Sequence, residues 1–416
     1  MSGDTGRRVV VTGVGAVTPI GAGKEDLWRG VIEGRRGGRR ITLFDAAAYP
    51  SRVACEVPDF DPLDYLDAKR ARRLDRCSQF GLAAARMAVD DAHLSLERED
   101  CERVGVYVGS ALGGISYAEE QHQDFMEGGL RHVSPMLALA VFGGANAANI
   151  SMEIGARGPS LGNANSCASG AIGVGDAFHA IKRGEVDVAL AGGAEAPIAP
   201  LTFGAFAVIK AMSMRNDDPA AASRPFDRDR DGFVMAEGAG MLVLEEYEHA
   251  VRRGTPVYAE VRGFGVTSDA YHMTSPRPDG EQSARAMTLA LEEAALPPEG
   301  IDYVAAHASA TKLNDSTETL AIKKALGAHA GDVPVSGTKG MHGHALGASG
   351  AIELAICALV LERGVLPATV NLGEPDPACD LRLIRDHPVE RRIAAMLKNS
   401  FGFGGINAAL VLTRAE

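Results

Sequence analysis

The sequence has no long apolar run and no paired cysteines. None of its hydrophobic stretches approaches the roughly 20 residues that cross a bilayer, and its first residues lead into a strand pattern without the apolar core of a secretion signal. Its six cysteines, at positions 55, 77, 101, 167, 357 and 379, form no CxxC pair and no small disulfide framework. We therefore expect a protein of the reducing cytoplasm that does not enter a membrane.

The chain also has fewer positive than negative residues. It contains 42 Lys and Arg and 54 Asp and Glu, which gives a formal net charge of -12 at pH 7. Net negative charge repels nucleic acids and anionic membranes, which excludes both as bulk partners while leaving room for local basic patches. The 416 residues, 46% of them hydrophobic, can bury a large core in two or three domains.

Short apolar runs alternate with helical stretches along the chain. Strand patterns cover 9–15, 104–109, 186–193 and 240–244, and a second series covers 257–265, 303–306, 333–336 and 394–400. Strands that pass into helices predict a layered α/β architecture. The opening strand of each series ends in Gly-x-Gly, at 13–15 and 263–265, which indicates an internal duplication. We predict two halves, 1–253 and 254–416, that form one compact unit.

Two motif matches are rejected. The Gly-x-Gly after the first strand has Thr18 at the third glycine position of a dinucleotide fingerprint, and Pro19 follows it, so no nucleotide cofactor is predicted. Residues 227–232 resemble the opening of a calcium loop, but the twelfth position is Gly238 instead of a bidentate Glu. A polar structural loop is the better interpretation.

Cys167 lies among small residues directly before a helical pattern at 171–177. A helix N-terminus presents unpaired amides, which can stabilise a thiolate and lower the pKa of the thiol. Cys167 is therefore a candidate nucleophile. A free cysteine also serves as a small buried apolar residue, and the local sequence favours neither interpretation.

Two later segments supply histidines at strand ends. His307 follows the strand at 303–306, and the stretch 335–350 carries Lys339, His342 and His344 among glycines. A single histidine is more often structural than catalytic, but a cysteine and two histidines surrounded by minimal side chains favour an active site. No metal is predicted, because His342 and His344 lack Cys or carboxylate neighbours at zinc spacing.

Four segments, 165–170, the His307 loop, 337–344 and 399–407, together resemble the elongating β-ketoacyl-acyl-carrier-protein synthases, and the resemblance runs from Val9 to Val411. It implies a thiolase-like layered α-β-α-β-α fold from two pseudo-duplicated halves that meet at a Cys-His-His site. The implied reaction is a decarboxylative Claisen condensation of a Cys-bound acyl group with malonyl-acyl-carrier protein. No cofactor is implied beyond the phosphopantetheine arm of the carrier.

The resemblance assigns roles to the site residues. Cys167 accepts the acyl group, and neutral His307 and His344 donate to the thioester oxygen of the enolate. The backbone amides of Cys167 and Phe403 form the oxyanion hole, and Phe403, set between glycines, swings to admit the acyl chain. Lys339 is expected to hold the His307 region and carboxylates such as Glu318, with an ordinary structural salt bridge as the alternative.

Further residues are implied to line the acyl and pantetheine channels, with core packing as the alternative for the apolar ones: Leu112, which limits tunnel depth, Phe206, Phe401, Thr274 and Thr311. An acidic carrier protein would give the local basic residues a purpose as a docking patch, with a solvated helix face as the alternative: Lys69, Arg70, Arg72, Arg73 and Lys210. The partners expected are acyl carrier protein and a second subunit, which is either an identical copy or a chain-length factor.

The chain departs from its relatives in two places. The His307 loop has Ala310 where a Gly or Ser is usual and Lys312 at a proline position, and Ser166 stands where alanine is common. Rival families fit less well: a thiolase would place a cysteine within 401–403, and an initiating synthase would have Asn at His344. A non-catalytic chain-length partner would lack Cys167. The choice between fatty-acid and polyketide synthesis stays open.

Overall fold

The computed structural model describes residues 6–415. Within them the strands are β1 (Val9–Thr18), β2 (Gly21–Ala22), β3 (Arg39–Arg40), β4 (Val53–Ala54), β5 (Val104–Gly109), β6 (Ser160–Asn163), β7 (Val188–Glu195), β8 (Gly238–Glu246), β9 (Ala259–Ser268), β10 (Tyr303–Ala305), β11 (Pro334–Ser336), β12 (Val365–Leu366), β13 (Arg382–Leu383), β14 (Val389–Glu390), β15 (Ala395–Gly402) and β16 (Ile406–Thr413). The helices are α1 (Gly23–Ile32), α2 (Ala68–Ala71), α3 (Arg76–Asp91), α4 (Ile115–Gly128), α5 (Leu137–Ala140), α6 (Ala145–Ile154), α7 (Ser169–Lys182), α8 (Pro200–Val208), α9 (Tyr247–Arg253), α10 (Glu281–Ala294), α11 (Lys312–Leu326), α12 (Lys339–His342) and α13 (Ser349–Arg363).

One large mixed sheet runs through the protein in the order β13-β11-β10-β15-β16-β9-β1-β8-β7-β5-β6. Its two halves meet where β1 pairs with β9 over only three residues, Val9 to Val11. Each half repeats one topology: β1-β8-β7-β5-β6 matches β9-β16-β15-β10-β11, with two antiparallel pairings followed by two parallel ones. The repeated order is the signature of the duplicated fold.

Alternation along the strands builds separate cores on the two faces of the sheet. In β16, Ala408, Leu410 and Leu412 face a central core with α7 and α13, whereas Ala409 and Val411 face an outer core with α10 and α11. A third core packs α3 against the outer face of the first half. The layers are therefore outer helices, the first half of the sheet, the central pair α7 and α13, the second half of the sheet, and outer helices. This order confirms the predicted five-layer α/β fold.

The two Gly-x-Gly segments have the same packing role. A Cβ at Gly15 would lie 1.9 Å from the carbonyl oxygen of Ala84 in α3, and one at Gly265 would lie 2.0 Å from that of Ala286 in α10. Each opening strand needs glycine because its outer helix crosses it at backbone distance. The Gly-x-Gly repeat that indicated a duplication thus reflects helix packing.

The central helices carry a second and stronger repeat. Both α7 and α13 begin with the sequence Ser-Gly-Ala-Ile, and each follows a 3-10 turn, Ser166–Ala168 or Leu346–Ala348. Both turns begin with a residue of positive φ, 50° at Ser166 and 39° at Leu346. Cys167 and Gly347 therefore occupy equivalent positions in the two halves.

No helix between residues 6 and 415 combines the length and apolar character needed to cross a membrane. The loop that mimics a calcium site is a structural turn, as interpreted: the Asp227 carboxylate accepts from the Arg224 side chain and from the backbone amides of Asp229 and Gly373.

Candidate active site

Cys167, His307 and His344 line one cavity of about 280 Å³. They reach it from different elements: the turn before α7, the loop after β10 and the segment between α12 and α13. The same cavity is lined by Phe401, Phe403, Thr274, Thr311 and Lys210. The fold thus brings together the three groups that the sequence predicted as a Cys-His-His site.

The Cys167 thiol is buried beneath the end of β15. The backbone N–H groups of Phe403 and of Cys167 itself are both directed at its sulfur. A Cβ at Gly402 would lie 3.0 Å from the Cys167 nitrogen, so this close approach requires glycine. Two amides therefore converge where an oxyanion would form during acyl transfer.

The expected lowering of the Cys167 pKa is wrong. Burial raises the pKa of the thiol to about 11, although the Phe403 amide and the positive charge of Lys339 act in the opposite direction. The helix N-terminus was expected to dominate, but withdrawal of the sulfur from water outweighs it. The resting side chain is a protonated thiol.

Both histidines are buried and neutral. Burial, and secondly the charge of Lys339, hold the pKa of His307 and of His344 well below the usual value. His344 Nδ1 lies 2.8 Å from the Ser349 hydroxyl, which leaves Nε2 for a ligand. Within the described chain, His307 Nδ1 is buried without a hydrogen-bond partner. Neutral imidazoles with an available nitrogen suit the donor role implied for them.

Backbone contacts fix the position of His307. Glu318 accepts the N–H groups of His307 and Ala308 at 2.7 Å each, and Lys339 Nζ donates to the His307 carbonyl oxygen at 2.5 Å. Lys339 therefore holds the His307 region, as predicted. Its carboxylate partner, however, is Glu353 at 2.5 Å and not Glu318, which is held by amides instead.

A buried lysine was missed. Lys398 Nζ lies 2.8 Å from Glu353 Oε2, so Glu353 bridges Lys339 and Lys398. All three side chains are at most 3% exposed. The sequence signal that could have found this pair is one ionisable residue inside an apolar element, Lys398 in β15 and Glu353 in α13. A buried charge requires a partner of opposite sign.

Glu195 was missed as well. Its carboxylate ends β7 and accepts the backbone N–H groups of Ala111 at 2.6 Å, Leu112 at 3.1 Å and Gly347 at 3.0 Å. Burial raises the pKa of Glu195 to about 7. Because Gly347 is the counterpart of Cys167, Glu195 fills the amide turn of the second half that corresponds to the turn the first half offers to an acyl oxygen.

The predicted channel residues separate into two groups. Thr274, Thr311 and Phe401 line the cavity, and the Phe401 ring lies 5.9 Å from that of His307. Leu112 and Phe206 are not among the residues that line this cavity, and their predicted roles along the acyl channel stay predictions. Both pack in the core cluster that contains Cys167, and Phe206 lies behind Phe403, with ring centroids 6.3 Å apart and planes at 14°.

The predicted docking patch is divided. Lys69, Arg72 and Arg73 are exposed, but Arg70 is half-buried in an ion pair with Glu153. Lys210 is exposed at the mouth of the active-site cavity. Lys69, Arg70 and Arg73 line a different cavity that shares no residue with it, and a common docking surface with Lys210 stays a prediction.

The unusual His307 loop has a defined shape. Ala308 and Ala310 adopt positive φ values of 45° and 66°, a conformation in which glycine costs less. The Ala310 N–H donates to Asp315 at 3.2 Å, and Thr311 caps α11 by accepting from Asn314 N–H. Lys312 is the first residue of α11, where its exposed side chain lines the cavity in place of a proline.

Comparison with known proteins agrees with this geometry. Residues 6–250 match the family model "Beta-ketoacyl synthase, N-terminal domain", and residues 258–373 match "Beta-ketoacyl synthase, C-terminal domain". The chain is 43% identical to the 3-oxoacyl-[acyl-carrier-protein] synthase 2 of Synechocystis sp. over 410 residues, 99% of each chain.

Solved structures also resemble it. One is the ishigamide ketosynthase/chain length factor, with a TM-score of 0.93 and 36% identity over 99% of this chain and 100% of that one. Another is a type II PKS acyl-carrier protein in complex with its ketosynthase bound to the hexaketide, with a TM-score of 0.92, 34% identity and the same coverage. By its family models and its full-length relatives, this chain belongs to the β-ketoacyl synthase family.

Proposed function

We propose that this acyl-transferring condensing enzyme joins a Cys167-bound acyl group to malonyl-acyl-carrier protein, giving a 3-oxoacyl-acyl-carrier protein. The carrying observation is that a thiol, two directed amides and two neutral imidazoles meet in one cavity. Relatives over 99% of the chain with the name 3-oxoacyl-[acyl-carrier-protein] synthase 2 support the same reaction.

The first step is transfer of the acyl group. The sulfur of Cys167 attacks the thioester carbonyl of the acyl carrier, the new C–S bond forms, and the carrier C–S bond breaks. The proton of the thiol ends on the departing pantetheine sulfur. The amides of Cys167 and Phe403 stabilise the oxyanion, and each such donor contributes about 3 to 4 kcal/mol in the transition state.

The second step forms the carbon–carbon bond. Loss of carbon dioxide from the malonyl thioester leaves its electron pair in an enolate, whose oxygen accepts from His307 and His344. The enolate carbon attacks the acyl carbonyl and the bond to Cys167 sulfur breaks. The released thiolate then takes one proton from solvent, so the reaction consumes one proton and needs no redox partner or metal.

The malonyl and acyl groups arrive on a carrier protein in this proposal. Thr274 and Thr311 offer hydroxyls along the cavity for the pantetheine arm, and Lys210 lies at its mouth. The complex of a similar ketosynthase with its acyl-carrier protein supports this partner.

We also propose that the chain pairs with a second subunit through β6. This strand ends the sheet, and its outer edge has no neighbouring strand in the described chain. Apolar side chains are exposed beside it, with Leu161 at 55%, Met152 at 69% and Phe142 at 46%. An uncovered edge with apolar neighbours favours pairing with another chain.

One experiment tests the function and separates the two candidate partners. The purified chain is given acyl carriers of graded length and unsaturation with malonyl carrier, while product mass, carbon dioxide and oligomeric state are measured. Extension by the chain alone as a homodimer supports fatty-acid synthesis, whereas activity only with a chain-length factor supports a type II polyketide pathway. Cys167→Ala is the control, and an acyl group still covalently bound to that variant would refute the assignment.

A further inference from the structure

Residues on strand β15 and just after it contact Glu353, Glu318, His307 and Cys167. Lys398 meets Glu353 in α13, and the next side chain, Asn399, donates to Glu318 at 3.1 Å. Phe401 then contacts the His307 ring, and the Phe403 amide reaches Cys167 just past the end of the strand. Successive residues alternate between the central helices and the outer layer, so Lys398 lies on the same face as Met396, toward the central core and Glu353.

The side-chain nitrogen of Lys398 has three oxygen neighbours. Its Nζ lies 2.8 Å from Glu353 Oε2 and 3.2 Å from the Ser400 hydroxyl, and it also donates to the Asn399 carbonyl oxygen. Its side chain is fully buried. An ammonium group in such a place is costly unless its charge is used or compensated.

The need to neutralise the buried Glu353 carboxylate does not by itself explain the presence of Lys398. Lys339 already provides Glu353 with a buried cation at 2.5 Å, so a one-to-one ion pair exists without Lys398. The second lysine adds a positive charge that Glu353 shares between two partners. Glu318, the next carboxylate, is engaged by the His307 and Ala308 amides and by Asn399 rather than by a lysine.

The added charge acts on the histidines. Burial is the main reason that His307 and His344 resist protonation, and Lys339 and Lys398 both add repulsion to each ring. The other titratable neighbours are His344 for the His307 ring and His342 for the His344 ring, together with the Cys167 thiol in the same cavity and the Glu318 carboxylate at the His307 amide. His342 is itself buried, with a pKa lowered to about 4.

We propose that Lys398 is a positioning residue for condensation: its ammonium group, anchored by Glu353, keeps a second positive charge behind His307 and His344 so that both imidazoles stay neutral donors. The inference rests on the roles proposed above for the two histidines. The same charge favours the enolate, whose oxygen takes over the negative charge of the departing malonyl carboxylate, because a fixed cation in a buried site stabilises developing negative charge.

The test uses Lys398→Met, which removes the charge and the donor, and Lys398→Gln, which removes the charge but keeps an N–H donor for Ser400. Both variants retain the Lys339–Glu353 pair. Lys323→Met is the matched control, since Lys323 lies near the end of α11 in an ion pair with exposed Asp380. Acylation of Cys167 and decarboxylation of malonyl carrier are measured separately against pH.

Both variants should acylate within about twofold of the wild type, while decarboxylation falls about tenfold or more and its acid limb moves to higher pH. Lys323→Met should change neither step. Full rescue by Gln, or an unchanged pH profile in both variants, would overturn the proposal and leave Lys398 with a packing role.

A second measurement does not depend on activity. With ¹⁵N-labelled histidine, NMR of the wild type should find both site imidazoles still neutral at a pH where the exposed histidines are protonated, and the Lys398 variants should protonate them at a higher pH than the wild type does. A wild-type site imidazole that protonates together with the exposed histidines would overturn the proposal even if neither variant folds. If the histidines respond but no condensation occurs, the proposed function fails while the effect of Lys398 stands.

Discussion

The imidazole rings of His307 and His344 stand nearly perpendicular, with centroids 5.3 Å apart and planes at 80°. Phe401 and Phe233 contact them, at 5.9 Å from His307 and 5.4 Å from His344. Neither ring has a carboxylate partner in the described residues that would favour its charged form. The pair is therefore arranged to donate hydrogen bonds to one oxygen rather than to carry a proton as imidazolium.

Replacing either histidine with alanine should impair condensation more than acylation. Each removes one donor from the enolate oxygen, which corresponds to a loss of about 100- to 1000-fold in the decarboxylation rate. Acyl-enzyme formation, followed by intact-protein mass spectrometry, should fall far less. If both steps decline equally in both variants, the enolate role is refuted.

The Cys167 thiol should react slowly with alkylating agents at neutral pH and faster as pH rises. With a pKa of about 11, the thiolate fraction grows roughly tenfold per pH unit up to about pH 10, where an ordinary cysteine with a pKa of about 8.5 is already almost fully ionised. Iodoacetamide labelling followed by mass spectrometry across this range checks the slope. A plateau near pH 8.5 would contradict the effect of burial described here.

Replacing Glu195 with glutamine should change how stability depends on pH. The folded-state pKa of Glu195 is raised to about 7 from 4.5, so the folded protein binds this proton more tightly than the unfolded chain. Its contribution favours folding at low pH and is lost as pH rises through about 7.

Relative to Glu195→Gln, the wild type should therefore lose about 2 kcal/mol of unfolding free energy between about pH 5.5 and pH 8. Urea unfolding at both pH values measures the difference, with the exposed Glu97→Gln as the matched control. A constant difference between the wild type and Glu195→Gln would show that the carboxylate is already ionised at the lower pH.

Reversing the charge of Lys69, Arg72 and Arg73 should slow association with the carrier protein by about tenfold at low salt. The effect should shrink as salt is added, because the charges are exposed. Lys323→Glu, on another surface, is the control, and stopped-flow binding is the measurement. An association rate that does not respond would exclude this segment from the docking surface.

All eight strand patterns read from the sequence correspond to strands, at β1, β5, β7, β8, β9, β10, β11 and β15. Eight strands of the described chain were missed, six of them only two residues long, and the two longer ones, β6 and β16, were missed for different reasons. β6 is short and largely exposed, so no apolar pattern indicates it. β16 begins at the end of the glycine motif at 399–407 and was not separated from that motif. The prediction of duplication was correct, but it used the Gly-x-Gly pair and overlooked the Ser-Gly-Ala-Ile repeat.

The family, the layered fold and the identity of Cys167, His307 and His344 could be predicted from the sequence, because they depend on local patterns: strand periodicity, glycines at tight turns and reactive side chains in recognisable motifs. Three properties became visible in the folded chain alone: the raised pKa of Cys167, the pairing of Glu353 with both Lys339 and Lys398, and the ion pair of Arg70. Burial and ion pairing depend on which distant segments pack together, and the free energy of a charge depends on that surrounding more than on its neighbours in the chain.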